Sequence, residues 1–219
     1  INTSDARPGR IWSTGRRVGD GEWLGLKTHC SGRALSADLE FHLGQGAYVG
    51  ACAVEAGAIN VCGLFRRRPG LRAPARGLLV AYLRASGLPE LAGRVEAAAI
   101  PGTQASVAAI NFDRHPPQHR MAVGDAFAMI PPFTGDGMAM AFESAEMAAP
   151  VLVDYARGAM DWERAMAEVR RRLRRRFGAR LRLACVLQRF LASSKGQGFI
   201  AVAARGGFLP FRPLFRWLH

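Results

Sequence analysis

The sequence lacks the marks of a membrane-spanning or disulfide-linked protein. Its longest stretch without a charged residue, residues 97–112, includes Pro101 and is too short for a transmembrane helix, which needs about 20 apolar residues. The four cysteines form no C-x-x-C pair, and residues 1–20 contain no secretory signal. We therefore expect a cytoplasmic protein with reduced thiols and no metal site.

Acidic residues are also few. The chain has 17 Asp and Glu residues against 30 Lys and Arg residues, a formal net charge of +13, and ten of the arginines lie between residues 161 and 192. Such an excess suits an anionic membrane surface, nucleic acid or a negatively charged substrate, and it is equally typical of an arginine-rich proteome. Because no RNA- or DNA-binding motif organises these charges, we expect no specific nucleic-acid partner.

The composition is that of a folded protein. Hydrophobic residues make up 49% of the 219 residues, and the chain contains 25 glycines and 12 prolines. This balance indicates a packed chain with many turns rather than a disordered one. The length accommodates one large domain or two small ones.

One local pattern in the second half of the chain suits ligand binding. Residues 121–123 are an apolar run typical of a strand, and Gly124 and Asp125 end it. A loop rich in proline and glycine follows, and residues from Gly137 onward have helical spacing. A helix N-terminus has unpaired N–H groups and about half a positive charge, so it suits a phosphate or an anionic ring edge. The alternative is a plain strand–loop–helix connection with Asp125 as a turn residue.

Two motifs in this region resemble a known flavoprotein superfamily. Gly124-Asp125-Ala126, followed by P-x-x-G-x-G at residues 132–137, is similar to the second FAD-binding motif of flavin-dependent oxidoreductases with the para-hydroxybenzoate hydroxylase fold. The T-G-D-G loop and the pattern A-x-x-S-A-E-x-A-A that follows are most similar to the geranylgeranyl-reductase-like branch. Many hydroxylases of the superfamily have a histidine three residues after the aspartate. This chain has Ala128 there, which favours a reductase.

The resemblance implies FAD as the cofactor and NAD(P)H as the electron donor. It implies that the aspartate of the motif binds the ribityl and pyrophosphate region of FAD, and that the loop and helix start lie against the isoalloxazine ring. The segment S-T-G-R at residues 13–16 resembles the A-T-G-R segment that closes the FAD site in related flavoproteins. No catalytic side chain is implied. The implied cofactor-binding residues are Gly15, Gly124, Asp125, Pro132, Gly135, Asp136, Gly137 and Met138.

One feature of the superfamily is absent from the sequence. Its members begin with a strand and a G-x-G-x-x-G turn that holds the FAD pyrophosphate, and no such sequence occurs here. We expect residues 1–22 to be the remnant of an FAD-binding domain that a missing N-terminal segment or a partner chain completes. The alternatives are an accidental motif match and a degenerate homologue without activity.

Residues 23–112 are predicted to form an antiparallel sheet domain. Its four alternating runs are residues 23–28, 39–43, 48–54 and 59–65. Together they predict a meander, with Gly57 in a hairpin turn between the last two runs. The other predicted elements are helices at residues 77–86 and 88–95 and edge strands at residues 94–100 and 105–112. In the resembled fold such a sheet forms the floor of the substrate pocket.

Residues 113–158 are assigned to the second FAD-binding motif and residues 159–219 to a basic helical segment. Asp161 suits the N-cap of a long amphipathic helix, and the other face of this helix carries eight arginines between residues 170 and 182, Arg180 among them. This face is either the solvated side of a packed helix or a surface for an anionic membrane. The aromatic and arginine-rich tail would add to such a surface.

The sequence as a whole predicts an α/β flavoprotein fragment with an antiparallel substrate sheet and a helical C-terminus. The expected function is that of a FAD-dependent oxidoreductase, of the reductase or monooxygenase type, acting on a small apolar organic or isoprenoid-like substrate. We expect it to be cytoplasmic, and a peripheral position on the inner face of the membrane is the alternative that the basic helix leaves open. The alternative is a non-catalytic basic domain that binds an anionic membrane surface or nucleic acid.

Overall fold

The computed structural model describes residues 7–16, 20–32, 35–112 and 119–208. In chain order, its elements are β1 Ile11–Trp12, β2 Trp23–Ser31, β3 Leu39–Gly44, β4 Ala47–Ala53, β5 Ala58–Arg66, α1 Leu78–Ala85, α2 Pro89–Ala98, β6 Ala105–Ile110, β7 Met121–Ala122, α3 Gly137–Ala156, α4 Trp162–Leu191 and α5 Ser194–Arg205. The chain divides into two compact units. Unit 1 comprises Ile1–Arg17, Phe112–Leu187 and Pro210–His219. Unit 2 comprises Val18–Asn111 and Gln188–Leu209.

The sheet of unit 2 has the strand order β3-β4-β5-β2-β6, and all neighbouring strands are antiparallel. The predicted meander is confirmed for β3, β4 and β5, which follow one another in space as in sequence. It is wrong for β2, which lies between β5 and β6 and pairs with β5 over its whole length, from Trp23 opposite Arg66 to Ser31 opposite Ala58. The alternation of apolar and polar residues specifies which face of a strand is buried, but it does not specify which strand lies next to it in the sheet.

The turn between β4 and β5 confirms the predicted hairpin. Glu55–Gly57 forms a single 3-10 turn in which Gly57 has a φ of +69°. Ala56 also lies in the left-handed region, with a φ of +60°, which costs a residue with a Cβ about 1 kcal/mol. The hairpin fixes the register in which Ala53 lies opposite Ile59.

Two short helices, α1 and α2, cover one face of this sheet and confirm the two helices predicted there. Leu83 and Val95 from these helices share one buried cluster with Val49 and Phe65 from the strands. The edge strand predicted at residues 94–100 is wrong, because α2 continues to its end at Ala98. Its apolar residues recur at helical spacing, so burying them favours the helix over a strand.

The opposite face of the sheet is left open by α1 and α2. Residues directly opposite one another on neighbouring strands share a face, and one row on the open face contains Phe41, Gly50, Cys62 and Lys27. Phe41 is 47% exposed and stacks on Tyr48 of the next row, with 5.6 Å between the ring centroids. Unit 2 therefore presents a partly apolar sheet face.

The helix α5 of unit 2 is absent from the sequence-based expectations. Its N-cap is Ser193, whose Oγ accepts a hydrogen bond from the N–H of Gly196 at 3.0 Å. A Cβ on Gly196 would overlap the carbonyl oxygen of Phe190, so the turn between α4 and α5 requires glycine. The glycines early in α5 lower its helix propensity, which hides it from a pattern-based prediction.

Unit 1 consists of the two-stranded parallel sheet of β1 and β7, packed with α3 and α4. The predicted apolar face of α4 is confirmed, since Leu173 and Phe177 are fully buried in one core with Met121 of β7. Asp161 caps α4 as predicted, by accepting a hydrogen bond at 2.7 Å from the backbone N–H three residues later. The helix α3 continues through Pro150 rather than ending there.

Two further findings concern the described part of the chain. No helix in it combines the length and the apolar character needed to cross a membrane. The same residues include no group of three or more His, Cys, Asp and Glu side chains that could hold a metal ion. The free thiols are Cys30, Cys52, Cys62 and Cys185.

Candidate cofactor-binding site

The strands β1 and β7 bring two distant sequence motifs together. They pair in parallel, with Trp12 opposite Ala122, and the N–H of Val123 donates a hydrogen bond to the carbonyl of Trp12 at 2.9 Å. Gly15 and Asp125 therefore follow the carboxyl ends of neighbouring parallel strands. Ligands of open α/β sheets bind at this end of the strands, so the pairing defines a candidate site.

The turn after β7 is held against α3. Gly124 has a φ of +58°, in the left-handed region that glycine adopts without strain. Its N–H donates a hydrogen bond to Oγ of Ser144 at 2.7 Å, and this hydroxyl donates in turn to the carbonyl of Ala141 at 2.7 Å. A Cβ on Gly124 would lie only 3.2 Å from the Cβ of Ala141. Close packing on α3 thus fixes the position of the next residue, Asp125.

Asp125 is partly buried at the end of this turn. Burial raises the pKa of its carboxyl group above the ordinary value of 3.8, because the charged form loses part of its hydration. An ionised carboxyl group accepts hydrogen bonds through both oxygens. A ligand that offers hydroxyl groups would replace the hydration that Asp125 has lost.

The loop before α3 is shaped by one buried hydroxyl group. Oγ1 of Thr134 donates to the carbonyl of Pro131 at 3.0 Å and accepts a hydrogen bond from the N–H of Asp136 at 3.3 Å. Pro132 begins the short 3-10 turn Pro132–Thr134, and Gly135 follows it with a φ of +74°. The hydroxyl group of Thr134 therefore sets the path by which the chain enters α3.

The first turn of α3 is open. Asp136 is the N-cap residue, but its side chain forms no capping hydrogen bond and the first turn contains no acidic residue. Apart from its chain neighbours and the backbone of its own helix, no heavy atom of the described residues lies within 4 Å of the point that a Cβ of Gly137 would occupy. Met138 is 77% exposed. The first N–H groups of a helix have no acceptor within the helix, and the helix dipole adds positive potential there. This end of α3 can receive an anionic or polar ligand edge.

Arg180 reaches this region from α4. Its predicted place on the exposed basic face is wrong, because its side chain is 7% exposed and its Nη1 lies 3.8 Å from Oδ2 of Asp136. Other arginines of that face are exposed, and Arg176 forms an ion pair with Glu143 of α3. The basic face of α4 is therefore partly neutralised by carboxylates of its own unit.

The predicted cofactor residues fall into two groups in the structure. Gly15, Gly124 and Asp125 lie at the strand ends, whereas residues 132–138 form one continuous loop and helix start. A partly buried carboxylate suits the ribityl hydroxyls of FAD, and an uncapped helix start with free space beside Gly137 suits a flat ring. The residues present therefore fit FAD. Three further residues position this region, and no local sequence pattern had given them that role: Thr134, Ser144 and Arg180.

Solved structures of flavoproteins share the fold of the chain, although no protein-family model and no curated protein matches it. HpxO of Klebsiella pneumoniae, solved with FAD and uric acid, aligns with a TM-score of 0.66 at 16% identity over 95% of this chain and 58% of HpxO. The flavin-dependent brominase Bmp2 aligns with a TM-score of 0.67 at 16% identity, over 95% of this chain and 56% of Bmp2. PqsL, a probable FAD-dependent monooxygenase from Pseudomonas aeruginosa, aligns with a TM-score of 0.58 at 19% identity, over 85% of this chain and 57% of PqsL.

These alignments confirm the predicted fold class. The chain is a mixed α/β protein with an antiparallel five-stranded sheet and a helical C-terminal part, a fold that it shares over 85–95% of its length with parts of these three flavin-dependent proteins. At identities of 16–19% such a likeness shows the fold rather than the activity. The chain spans somewhat more than half the length of each of these three proteins.

Proposed function

We propose that this chain is part of a FAD-dependent oxidoreductase and carries its substrate-binding sheet and its second FAD-binding motif. The parallel pairing of β1 with β7, which sets Gly15 and Asp125 after neighbouring strand ends, carries this proposal. The fold shared with a protein solved with FAD supports the same cofactor. Since the sequence contains no G-x-G-x-x-G turn, we propose that an N-terminal segment or a partner chain supplies the pyrophosphate-binding glycines.

Each part of the candidate site has a role in this proposal. Bound FAD supplies the two-electron redox chemistry. Asp125 accepts hydrogen bonds from the ribityl hydroxyls, and Ser144 keeps it in place through the turn at Gly124. The N–H groups of Gly137 and Met138 stabilise negative charge at the ring edge, as oriented backbone dipoles do at other anionic sites.

The open sheet face of unit 2 suits a small apolar organic substrate. Phe41, which is 47% exposed, gives it aromatic surface and stacks on the buried Tyr48. Gly50 beside Phe41 adds no side chain to the face, and a Cβ built there would lie 3.9 Å from Cδ1 of Leu39. Oδ1 of Asn60 is buried and has no hydrogen-bond partner within the described residues. A hydrogen-bond donor on the substrate would satisfy this oxygen. Isoprenoid-like compounds with one polar end belong to this class.

Two reaction types remain within the proposal, with NAD(P)H as the donor for both. The likeness to monooxygenases and to a brominase supports oxygen chemistry. Ala128 and the T-G-D-G loop support reduction, by resemblance to the geranylgeranyl-reductase-like branch. Oxygen consumption separates them, because a reductase oxidises NAD(P)H and reduces its substrate without oxygen, whereas a monooxygenase requires it.

Flavin titration tests the proposal, with the chain alone and with the coding sequence upstream of Ile1 included. We expect Gly137→Ala to weaken FAD binding about tenfold, equivalent to about 1.4 kcal/mol, because the new methyl group fills space beside the helix start. The matched control is Gly93→Ala on α2, where an added Cβ likewise meets no heavy atom of the described residues within 4 Å beyond its neighbours and its own helix backbone. It should bind FAD as the wild type does.

A second variant tests the aspartate separately. Asp125→Ala should also weaken FAD binding, because the ribityl hydroxyls lose their acceptor. The proposal fails if neither the chain nor the longer protein binds FAD. It also fails if Gly137→Ala and Gly93→Ala bind FAD equally well while both variants remain folded by circular dichroism.

A further inference from the structure

The outward side of α5 carries exposed apolar side chains between two cations. Lys195, Phe199, Val202 and Arg205 follow one another at intervals of four, three and three residues, so they form a stripe along the helix, here called the α5 stripe. Phe199 is 66% exposed and Val202 is 70% exposed. Contiguous apolar exposure of this kind marks an interaction surface rather than a chance surface residue.

Two more aromatic side chains extend this surface. Phe190, near the end of α4, is 38% exposed and packs edge-on against Phe199, with 5.9 Å between the ring centroids. Phe208, which follows α5, is 81% exposed. The apolar surface therefore extends beyond the α5 stripe in both chain directions.

Contacts on the other side of α5 fix the direction in which the α5 stripe points. Nε2 of Gln197 donates a hydrogen bond to the carbonyl of Gly44 at 2.6 Å and another to the carbonyl of Leu191 at 2.8 Å. The N–H of Gly46 donates to the carbonyl of Ala192 at 3.2 Å. These bonds hold α5 on the turn between β3 and β4, so the α5 stripe faces away from the core of unit 2.

The charged residues of α5 and of the chain on either side of it are all of one sign. Between Gln188 and Phe208 the charged residues are Arg189, Lys195 and Arg205, with no carboxylate among them. A second copy of this chain would bring like charges together, which opposes self-association through this face. A complementary surface must combine negative charge with an apolar region that exposed side chains can enter. An anionic lipid bilayer does so, because its headgroups attract cations while its acyl boundary accepts apolar side chains.

We propose that the α5 stripe docks on the surface of an anionic lipid bilayer. Phe199 and Val202 enter the boundary between headgroups and acyl chains, and Lys195 and Arg205 contact the anionic headgroups. This inference is independent of the cofactor site, since all of the residues that carry it belong to unit 2. A polynucleotide would also attract the cations, but it would leave the exposed Val202 without an apolar partner.

Vesicle co-sedimentation of the full chain tests the proposal. We expect binding to phosphatidylcholine vesicles that contain phosphatidylserine, little binding to pure phosphatidylcholine, and a loss of binding at high salt. Phe199→Gln should lower the partition coefficient about tenfold, because an apolar side chain that enters the bilayer boundary is lost. Lys195→Gln should lower it about fivefold, the contribution expected of one cation near an anionic surface.

The control is Ala204→Gln, an exposed position on α5 away from the α5 stripe. This variant changes no charge and should bind vesicles as the wild type does. The proposal is overturned if the Phe199→Gln and Ala204→Gln variants bind vesicles equally well, or if phosphatidylserine does not increase vesicle binding. It is also overturned if polyuridylate competes with the vesicles for the protein and the Phe199→Gln variant binds polyuridylate as the wild type does. Dimer formation that Phe199→Gln abolishes would also overturn it, in favour of a second copy as the partner.

Discussion

Nη1 of Arg180 lies 3.8 Å from Oδ2 of Asp136, and both side chains are more than nine-tenths buried. The pair connects the middle of α4 to the residue that precedes α3. It therefore holds the helix start, against which the flavin ring is proposed to lie, on the core of unit 1.

Arg180→Met should lower the free energy of unfolding by about 3 kcal/mol, because a buried carboxylate loses a cation that neutralises it. Urea denaturation measures this change. The control is Arg182→Met, since Arg182 is an exposed arginine on the same helix, and such a surface change should cost less than about 0.5 kcal/mol. Equal destabilisation by the two variants would show that the pair contributes nothing specific.

Ser144→Ala should cost about 1–3 kcal/mol, because the buried N–H of Gly124 loses its acceptor. The same change should weaken FAD binding, since the turn that presents Asp125 is no longer held on α3. Urea denaturation and flavin titration give the two readouts. Glu146→Ala, at an exposed position of the same helix, should leave both unchanged, and an effect there as large as that of Ser144→Ala would contradict the prediction.

Asp125→Asn should raise the stability of the FAD-free protein at neutral pH. Burial raises the pKa of Asp125 above 3.8, so the folded state holds this proton more tightly than the unfolded state does. Wild-type stability is therefore lost as pH rises from 3.8 through the raised pKa, and the variant should not show this loss. Thermal unfolding across this pH range measures the difference. A variant less stable than the wild type at neutral pH would contradict the prediction.

Glu40→Gln should flatten the acid side of the stability profile. Oε2 of Glu40 accepts a hydrogen bond from Arg94 at 2.7 Å and Oε1 accepts one from the N–H of Ser36 at 2.8 Å, with a further bond to His42 at 3.0 Å. These interactions lower the pKa of Glu40 from 4.5 to about 2.

The stabilisation by Glu40 is fully present above pH 4.5 and is lost as pH falls towards about 2. Thermal unfolding in this range should show a steeper loss for the wild type than for Glu40→Gln. Parallel profiles would mean that Glu40 keeps the same pKa in the folded and unfolded chains.

Local signals in the sequence predicted much of the structure. Gly57 specified a hairpin, and Gly124 with Asp125 specified the end of a strand, because a turn depends on the residues within it. The strands that pair with β2, the residue that Ser144 binds and the residue that Arg180 contacts were not predictable in this way. Each of these contacts joins residues far apart in the chain, and neither alternation nor helical spacing carries that information.

The same limit applies to α4 and α5. The apolar face of α4 was predictable because its residues recur every three or four positions. Arg180 interrupts the exposed face only because Asp136 lies opposite it in space. The helix α5 depends on capping by Ser193 and on packing at Gly196 rather than on strong helix formers.

The sheet domain is inserted between the two strands that build the cofactor site, and its entry and exit lie together. Trp23 pairs with Ile110, and a Cβ on Gly21 would overlap the carbonyl oxygen of Ile110. Once this sheet has folded, the loop that separates β1 from β7 shortens from roughly a hundred residues to about twenty, which lowers the entropy cost of closing it by about 1.5 kcal/mol. A sheet that has already folded should therefore speed the pairing of β1 with β7, which couples assembly of the cofactor site to folding of the substrate sheet.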